Sequence, residues 1–300
     1  MAIARGTAYI EGQFVPIEEA KISVLDWGFL RSDATYDVVH VWRGRFFRLD
    51  VHIERFLRSA RRLHLTLPVE ADELARILAQ CVELSGHEDA YVEMILTRGV
   101  APAPSRDPRD AENKLICFAI PFGWIVTPEK REAGFSVAIS GIQRIPPGSV
   151  DPTAKNFHWL DFIAGLYDAY GRGASNVILQ DDSGNLTEGP GFNVFVVMDG
   201  KIKTPDRGVL RGITRRSAIE LARALQMKVE ECAVPVDDAL GADEIFATST
   251  AGGIMPIVQI NNSPVGEGRM GPVTKRLNDA YWKKHSDPDW SVAVSDVLAG

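Results

Sequence analysis

The chain has 300 residues, 45% of them hydrophobic and 24% charged, with a formal net charge of −7. That length suits one large domain or two ordinary ones with ample core, and the balance is that of a soluble globular protein. The negative charge excludes general affinity for nucleic acid or an anionic membrane, and no apolar run is long enough to span a bilayer.

The start, Met1-Ala-Ile-Ala-Arg5-Gly, has no apolar core of secretory-signal length. Residues 8–15 read as a hairpin turning at Glu11-Gly12. Residues 36–42 and 45–49 read as two strands turning at Arg43-Gly44. Asp50 is then expected to cap a helix whose apolar face carries Ile53, Phe56, Leu57, Ala60 and Leu63, with Arg55, Arg58, Arg61 and Arg62 on other faces. Leu74, Ile77, Leu78, Cys81 and Val82 predict a second helix ending near Gly86. Residues 91–97 and 115–121 are apolar strands, joined by a Pro-, Arg- and Asp-rich connection of a length usually reserved for function or motion.

Residues 122–132 read as a join, which divides the chain into 1–122, a linker at 123–132, and 133–300. Beyond it, strands are predicted near 135–139, 177–180, 193–198 and 229–233, and helices at 158–170, 214–225 and 272–284, with no internal repeat. The tail after His285 is left unassigned. Cys81, Cys117 and Cys232 are far apart and lack metal-ligand spacing. A cytoplasmic protein without a metal is expected.

Four segments carry chemistry. Lys155 lies in Ser149-Val-Asp-Pro-Thr-Ala-Lys155-Asn-Phe-His-Trp159, between two prolines (Pro147, Pro152) and three rings. An amine attacks a carbonyl only when uncharged, and desolvation favours that form; the alternative is a lysine lying along apolar surface with its head in water. Glu188 precedes the Gly189-Pro-Gly191 bend, either to hold a proton on a ring nitrogen or as a solvated loop carboxylate. Gly208-Val-Leu-Arg-Gly212-Ile213-Thr214 feeds a helix whose N-terminus suits a phosphate, unless Thr214 merely caps it. Thr248-Ser249-Thr250-Ala251-Gly-Gly253 ends a strand in hydroxyls and glycines, an anion-binding nest or an ordinary turn. Neither cradle is a nucleotide fingerprint. An amine nucleophile, an acid for a ring nitrogen and two phosphate cradles together suit pyridoxal 5′-phosphate (PLP).

The order of these motifs, from about Tyr9 to about Trp282, resembles the class IV (fold type IV) PLP-dependent aminotransferases. That family includes branched-chain and D-amino-acid aminotransferases, (R)-selective amine transaminases and aminodeoxychorismate lyases. The resemblance implies a mixed α/β (α+β) fold with a smaller N-terminal α/β domain and a larger PLP-anchoring C-terminal domain with a barrel-like β core. It also implies a homodimer with the site near the interface. It implies Lys155 as the Schiff-base lysine and Glu188 as the partner of the pyridine nitrogen. Arg55, in His52-Ile-Glu-Arg-Phe, corresponds to the phosphate-gripping arginine, although composition alone reads it as one more solvated helix charge. Gly212, Ile213 and Thr214 correspond to the phosphate-binding helix start, and Ser249 and Thr250 to the second phosphate loop, with Thr250 and Ala251 also beside the substrate.

Three runs, at 25–38, 91–99 and 150–156, most resemble the (R)-selective amine transaminase branch, which implies transfer from an (R)-configured primary amine or D-amino acid to a keto acid such as pyruvate. Tyr36 and Tyr91 then line the substrate pocket. Arg31 stands where that branch usually has histidine, and either meets a substrate carboxylate or faces solvent. Arg106 and Arg109, on the long connection, offer a mobile carboxylate ligand. The alternatives are a branched-chain or D-amino-acid aminotransferase, a lyase of the same family, or a non-enzymatic binding module.

Overall fold

Tight turns and period-two alternation lay down the first strands. In the computed structural model, which describes residues 5–127 and 133–300, β1 (Thr7–Ile10) pairs antiparallel with β2 (Gln13–Pro16). Glu11 and Gly12 take φ of 51° and 79°, the geometry of a two-residue hairpin turn. A short helix, α1 (Trp27–Arg31), begins where the Asp26 carboxylate accepts the Gly28 N–H. Five residues are too few for a helical period to show, so the sequence does not predict it.

There follow β3 (Ala34–Trp42), β4 (Arg45–Phe47), α2 (Leu49–Arg62), α3 (Ala71–Ser85), β5 (Ala90–Val100) and β6 (Glu112–Pro121). Arg48, in the left-handed region, occupies the N-cap of α2, and Asp50 lies inside the first turn rather than capping it. There its charge still complements the helix dipole. The six strands hydrogen-bond in the order β4-β3-β5-β6-β1-β2, antiparallel throughout. One sheet face packs Val39, Val41, Val92, Met94 and Leu96 against Phe56 of α2 and Leu74 and Leu78 of α3. The other face carries Tyr36 opposite Ile95 and Val38 opposite Glu93.

The second half contributes β7 (Phe135–Gln143), α4 (Leu160–Gly171), β8 (Asn176–Gln180), β9 (Glu188–Gly189), β10 (Phe192–Met198), β11 (Lys201–Pro205), α5 (Ile213–Ala224), β12 (Lys228–Cys232), α6 (Val236–Leu240), β13 (Glu244–Ser249), β14 (Gly253–Ile260), β15 (Ser263–Pro264) and α7 (Pro272–Lys283). A nine-stranded mixed sheet runs β12-β11-β10-β13-β14-β7-β8, with β9 on β10 and β15 on β14. Its core holds Val194, Val196, Ile245, Ala247, Met255 and Ile257, while Phe162 and Ala169 of α4 pack on Val177 and Leu179. The tail is structured: β16 (Ser291–Ala293) adds to β4 as the seventh strand of the first sheet, and α8 (Val294–Ala299) packs on α3.

The chain packs as two compact units, one from residues up to Gly123 with Ala154–Phe157 and Lys284–Gly300, the other from Trp124–Thr153 and His158–Lys283. Half of the expected linker, residues 128–132, lies outside the described residues. Among the described residues, no helix is long and apolar enough to cross a membrane.

Candidate active site

In the first unit, His52, Arg55 and Ser59 recur at three- and four-residue spacing and so share one face of α2. Thr35 and Asp37, two apart on β3, share one side of that strand. Asp37 is fully buried where these faces meet. Its Oδ2 accepts from Arg55 Nε at 2.7 Å. Its Oδ1 accepts from Arg55 Nη2, His52 Nδ1 and the Val38 N–H, each at 2.8 Å. Burial alone would raise the Asp37 pKa; the charge and hydrogen bonds of Arg55, then those of His52, outweigh it and hold the carboxyl well below the usual range. Burial pushes His52 down against the pull of Asp37, so the ring is neutral at pH 7.

Lys155 belongs to the four-residue stretch that packs with this unit. Its N–H donates to Ser59 Oγ at 3.2 Å, and its carbonyl accepts from Thr35 Oγ1 at 2.6 Å. Its Nζ stands 4.0 Å from the centroid of the Tyr36 ring, which stacks on Phe157 at 4.4 Å. Glu93 is on the same sheet face as Tyr36, one ladder step along β5. Burial pushes it up to about 7, against the charge of Lys155 and a hydrogen bond from Tyr91, with Asp37 adding to the rise. Burial, then Glu93, pushes the Tyr91 phenol up as well.

In the second unit Glu188 is buried. Its Oε2 accepts from the Leu210 N–H at 2.9 Å and from Asn193 Nδ2 at 3.2 Å, and its Oε1 faces Arg144 at 3.4 Å. Arg144 is anchored on Asp161 of α4 at 2.6 Å. Asn193 also donates to the Leu210 carbonyl at 2.9 Å, tying Glu188 to the turn before α5. Gly212 is the N-cap of α5, with no side-chain cap, so Ile213 and Thr214 begin the helix and Thr214 does not cap it. A Cβ at Gly212 would lie 2.1 Å from Asn193 Oδ1, so any side chain there would displace the amide that holds Glu188. Ser249 Oγ is committed within the protein, donating to the Gly191 carbonyl at 2.8 Å and accepting the Ala251 N–H at 3.2 Å. Thr250 is half-buried at the end of β13.

These donors fit an anionic, phosphate-bearing cofactor. The start of α5 has no side-chain cap, and the Oγ1 of Thr248, a residue paired in register with Asn193, is buried with no partner among the described residues. A model of the family described as "Amino-transferase class IV" matches residues 34–260. The chain belongs to the class IV aminotransferases.

Three similar proteins match along almost their whole length. A putative branched-chain-amino-acid aminotransferase of Methanocaldococcus jannaschii is 31% identical over 291 residues, covering 96% of this chain and 99% of that one. A D-alanine aminotransferase of Staphylococcus haemolyticus is 27% identical, covering 92% and 96%. A T.th. branched-chain amino acid aminotransferase solved with pyridoxamine 5′-phosphate superposes with a TM-score of 0.91 at 28% identity, covering 98% and 100%. The fold is therefore the mixed α/β fold type IV, and the cofactor of this class IV aminotransferase is PLP.

The remaining sequence-predicted residues are placed as follows. Arg31 is exposed, with its Cζ over the Trp27 ring, 3.5 Å from the centroid. Arg106 and Arg109 are exposed on the connection between β5 and β6, with Arg109 Nε donating to Asp107 at 2.9 Å. The Ala251 carbonyl accepts from the Ile125 N–H at 2.8 Å. Sequence reasoning missed Asp37, His52, Ser59 and Glu93 around Lys155, and Arg144 and Asn193 around Glu188. The available signal was a charge inside an apolar strand, Asp37 in Tyr-Asp-Val-Val and Glu93 in Val-Glu-Met, since such a charge is buried only with a reason.

Proposed function

We propose that this aminotransferase moves the amino group of an α-amino acid, branched-chain donors foremost, to a 2-keto acid, with PLP carried on Lys155. The near full-length similarity to proteins named branched-chain aminotransferases carries this reading. PLP, when bound, supplies an electron sink for the carbon that loses its proton. Lys155 Nζ would hold the cofactor, and as a free amine it would move the proton at the substrate carbon. Glu188, fixed by Leu210 and Asn193, accepts the ring N–H. Arg55, the α5 start at Gly212, Ile213 and Thr214, and the Ser249–Thr250 turn hold the phosphate. Tyr36, Tyr91, Thr250 and Ala251 line the substrate, with Arg31, Arg106 or Arg109 available to its carboxylate.

A second reading, an (R)-configured primary amine or D-amino acid donor with pyruvate as acceptor, is favoured by one observation. The carboxyl group of Glu93 shares the sheet face of Tyr36, and in its ionised form it repels a donor carboxylate, which favours a plain amine over an amino acid. The similarity to a D-alanine aminotransferase also supports it. The working unit proposed is a homodimer, because α4 exposes Leu160, Ile163, Tyr167 and Tyr170, an apolar row suited to a second copy; the three dispersed cysteines favour a cytoplasmic location.

A donor panel tests the function. L-Leucine with 2-oxoglutarate is expected to give a higher kcat/KM than D-alanine or (R)-1-phenylethylamine with pyruvate, and Lys155→Ala should lower every rate at least ~10³-fold. Preference for (R)-1-phenylethylamine would select the second reading.

A further inference from the structure

An arginine grips an oxyanion well only when its planar fork is already aimed, because a fork that must be ordered on binding gives up part of the interaction. In the first unit Arg55 is aimed by its surroundings. Asp37 takes the Nε and Nη2 edge at 2.7 and 2.8 Å, which fixes the plane of the guanidinium and hence the direction of Nη1. Asp37 has no freedom of its own: it is inside a nine-residue strand, is fully buried, and is held by His52 Nδ1 and the Val38 N–H.

One turn further along α2, Ser59 Oγ donates to the Arg55 carbonyl at 2.9 Å and accepts the Lys155 N–H. Thr35, two residues before Asp37, donates to the Lys155 carbonyl. A single helix–strand pair therefore fixes both the guanidinium and the main chain that carries the amine.

We infer that Asp37, backed by His52, is a positioning residue that aims Arg55 at the cofactor phosphate in register with Lys155. This rests on the reading of Arg55 as a phosphate ligand. The competing role, neutralising a buried cation, has the opposite sign. Removing a carboxylate that only cancels the charge of Arg55 strengthens anion binding, whereas removing one that aims the fork weakens it.

The two roles separate in a titration of the cofactor-free full chain with PLP and with pyridoxal, which has no phosphate, followed by the absorbance of the bound ring. The quantity read is the ratio of the two dissociation constants. Arg55→Ala is the reference and should lose most of the preference for PLP. Asp37→Asn should lower that preference about tenfold. His52→Ala, the milder change, should lower it by a smaller factor, and it decides the matter if Asp37→Asn does not fold. An unchanged or increased PLP preference in these variants, including equal weakening of both ligands, overturns the positioning role. If Arg55→Ala also leaves the ratio unmoved, the phosphate reading of Arg55 fails instead.

Discussion

At Glu93 the protein keeps a carboxyl group out of water beside a lysine and a phenol, and its charge state follows. Burial raises it from 4.5 to about 7. Between those two values the folded protein holds a proton that the unfolded chain has released, so this residue's contribution to stability falls as pH rises through that window and levels off above it. The change is on the order of 3 kcal/mol. Glu93→Gln should cancel the slope. Urea unfolding of both proteins at pH 5 and pH 8 checks this, and a pH-independent difference between them would discard the assignment. Reading the residues in sequence reached Lys155, Glu188 and Arg55 because each sits in a recognisable run. It passed over Glu93 and Asp37 because only the pairing of β3 with β5 and the packing of α2 on β3 bring them beside that chemistry.

The end of the chain shows the same limit for elements. β16 and α8 follow a short helical turn, Lys284–Ser286, that carries His285. The His285 ring stacks on Phe47 at 4.1 Å, and its Nε2 lies 2.7 Å from Nε2 of His40 on β3. One hydrogen bridges those two nitrogens, so protonating both sets donor against donor. Burial, then His285 and His52, pushes His40 well below 6.5. A histidine depressed in the folded state stabilises above the unfolded value, and that stability is lost as pH falls below about 6.5, at about 1 kcal/mol per pH unit. Amide hydrogen exchange should report it: protection of β16 and α8 drops between pH 7.5 and 5.5, after correction for intrinsic rates, while the centre of β5 keeps its protection. His40→Gln should weaken that dependence, and equal acid response across the first sheet would argue against the pair as its source. Helices of twelve residues or more, such as α2, α3 and α5, were legible from their apolar period, whereas α1, α6 and α8 are too short to show one.

For the molecule as a whole, the proposed self-association rests on a row of side chains on α4, spaced three, four and three residues apart, with Leu160 83% and Tyr167 74% exposed. The double substitution Leu160→Glu with Tyr167→Glu should leave the fold intact and lower the sedimentation mass from twice the 33.0 kDa chain to a single chain. An unchanged mass would move the interface elsewhere, the exposed Val24, Leu25, Phe29 and Leu30 being the next surface to test. By itself the sequence determined what local rules govern: the turn at Glu11-Gly12, the longer helices, and the motif runs around Lys155, Glu188 and Gly212 that mark a class IV aminotransferase. Only the tertiary structure decided which charges meet. Arg144 and Glu188 are 44 residues apart, and His40 and His285 are 245 apart. Such pairs arise from strand register and from helix faces packing on sheets, and residue spacing along the chain encodes neither.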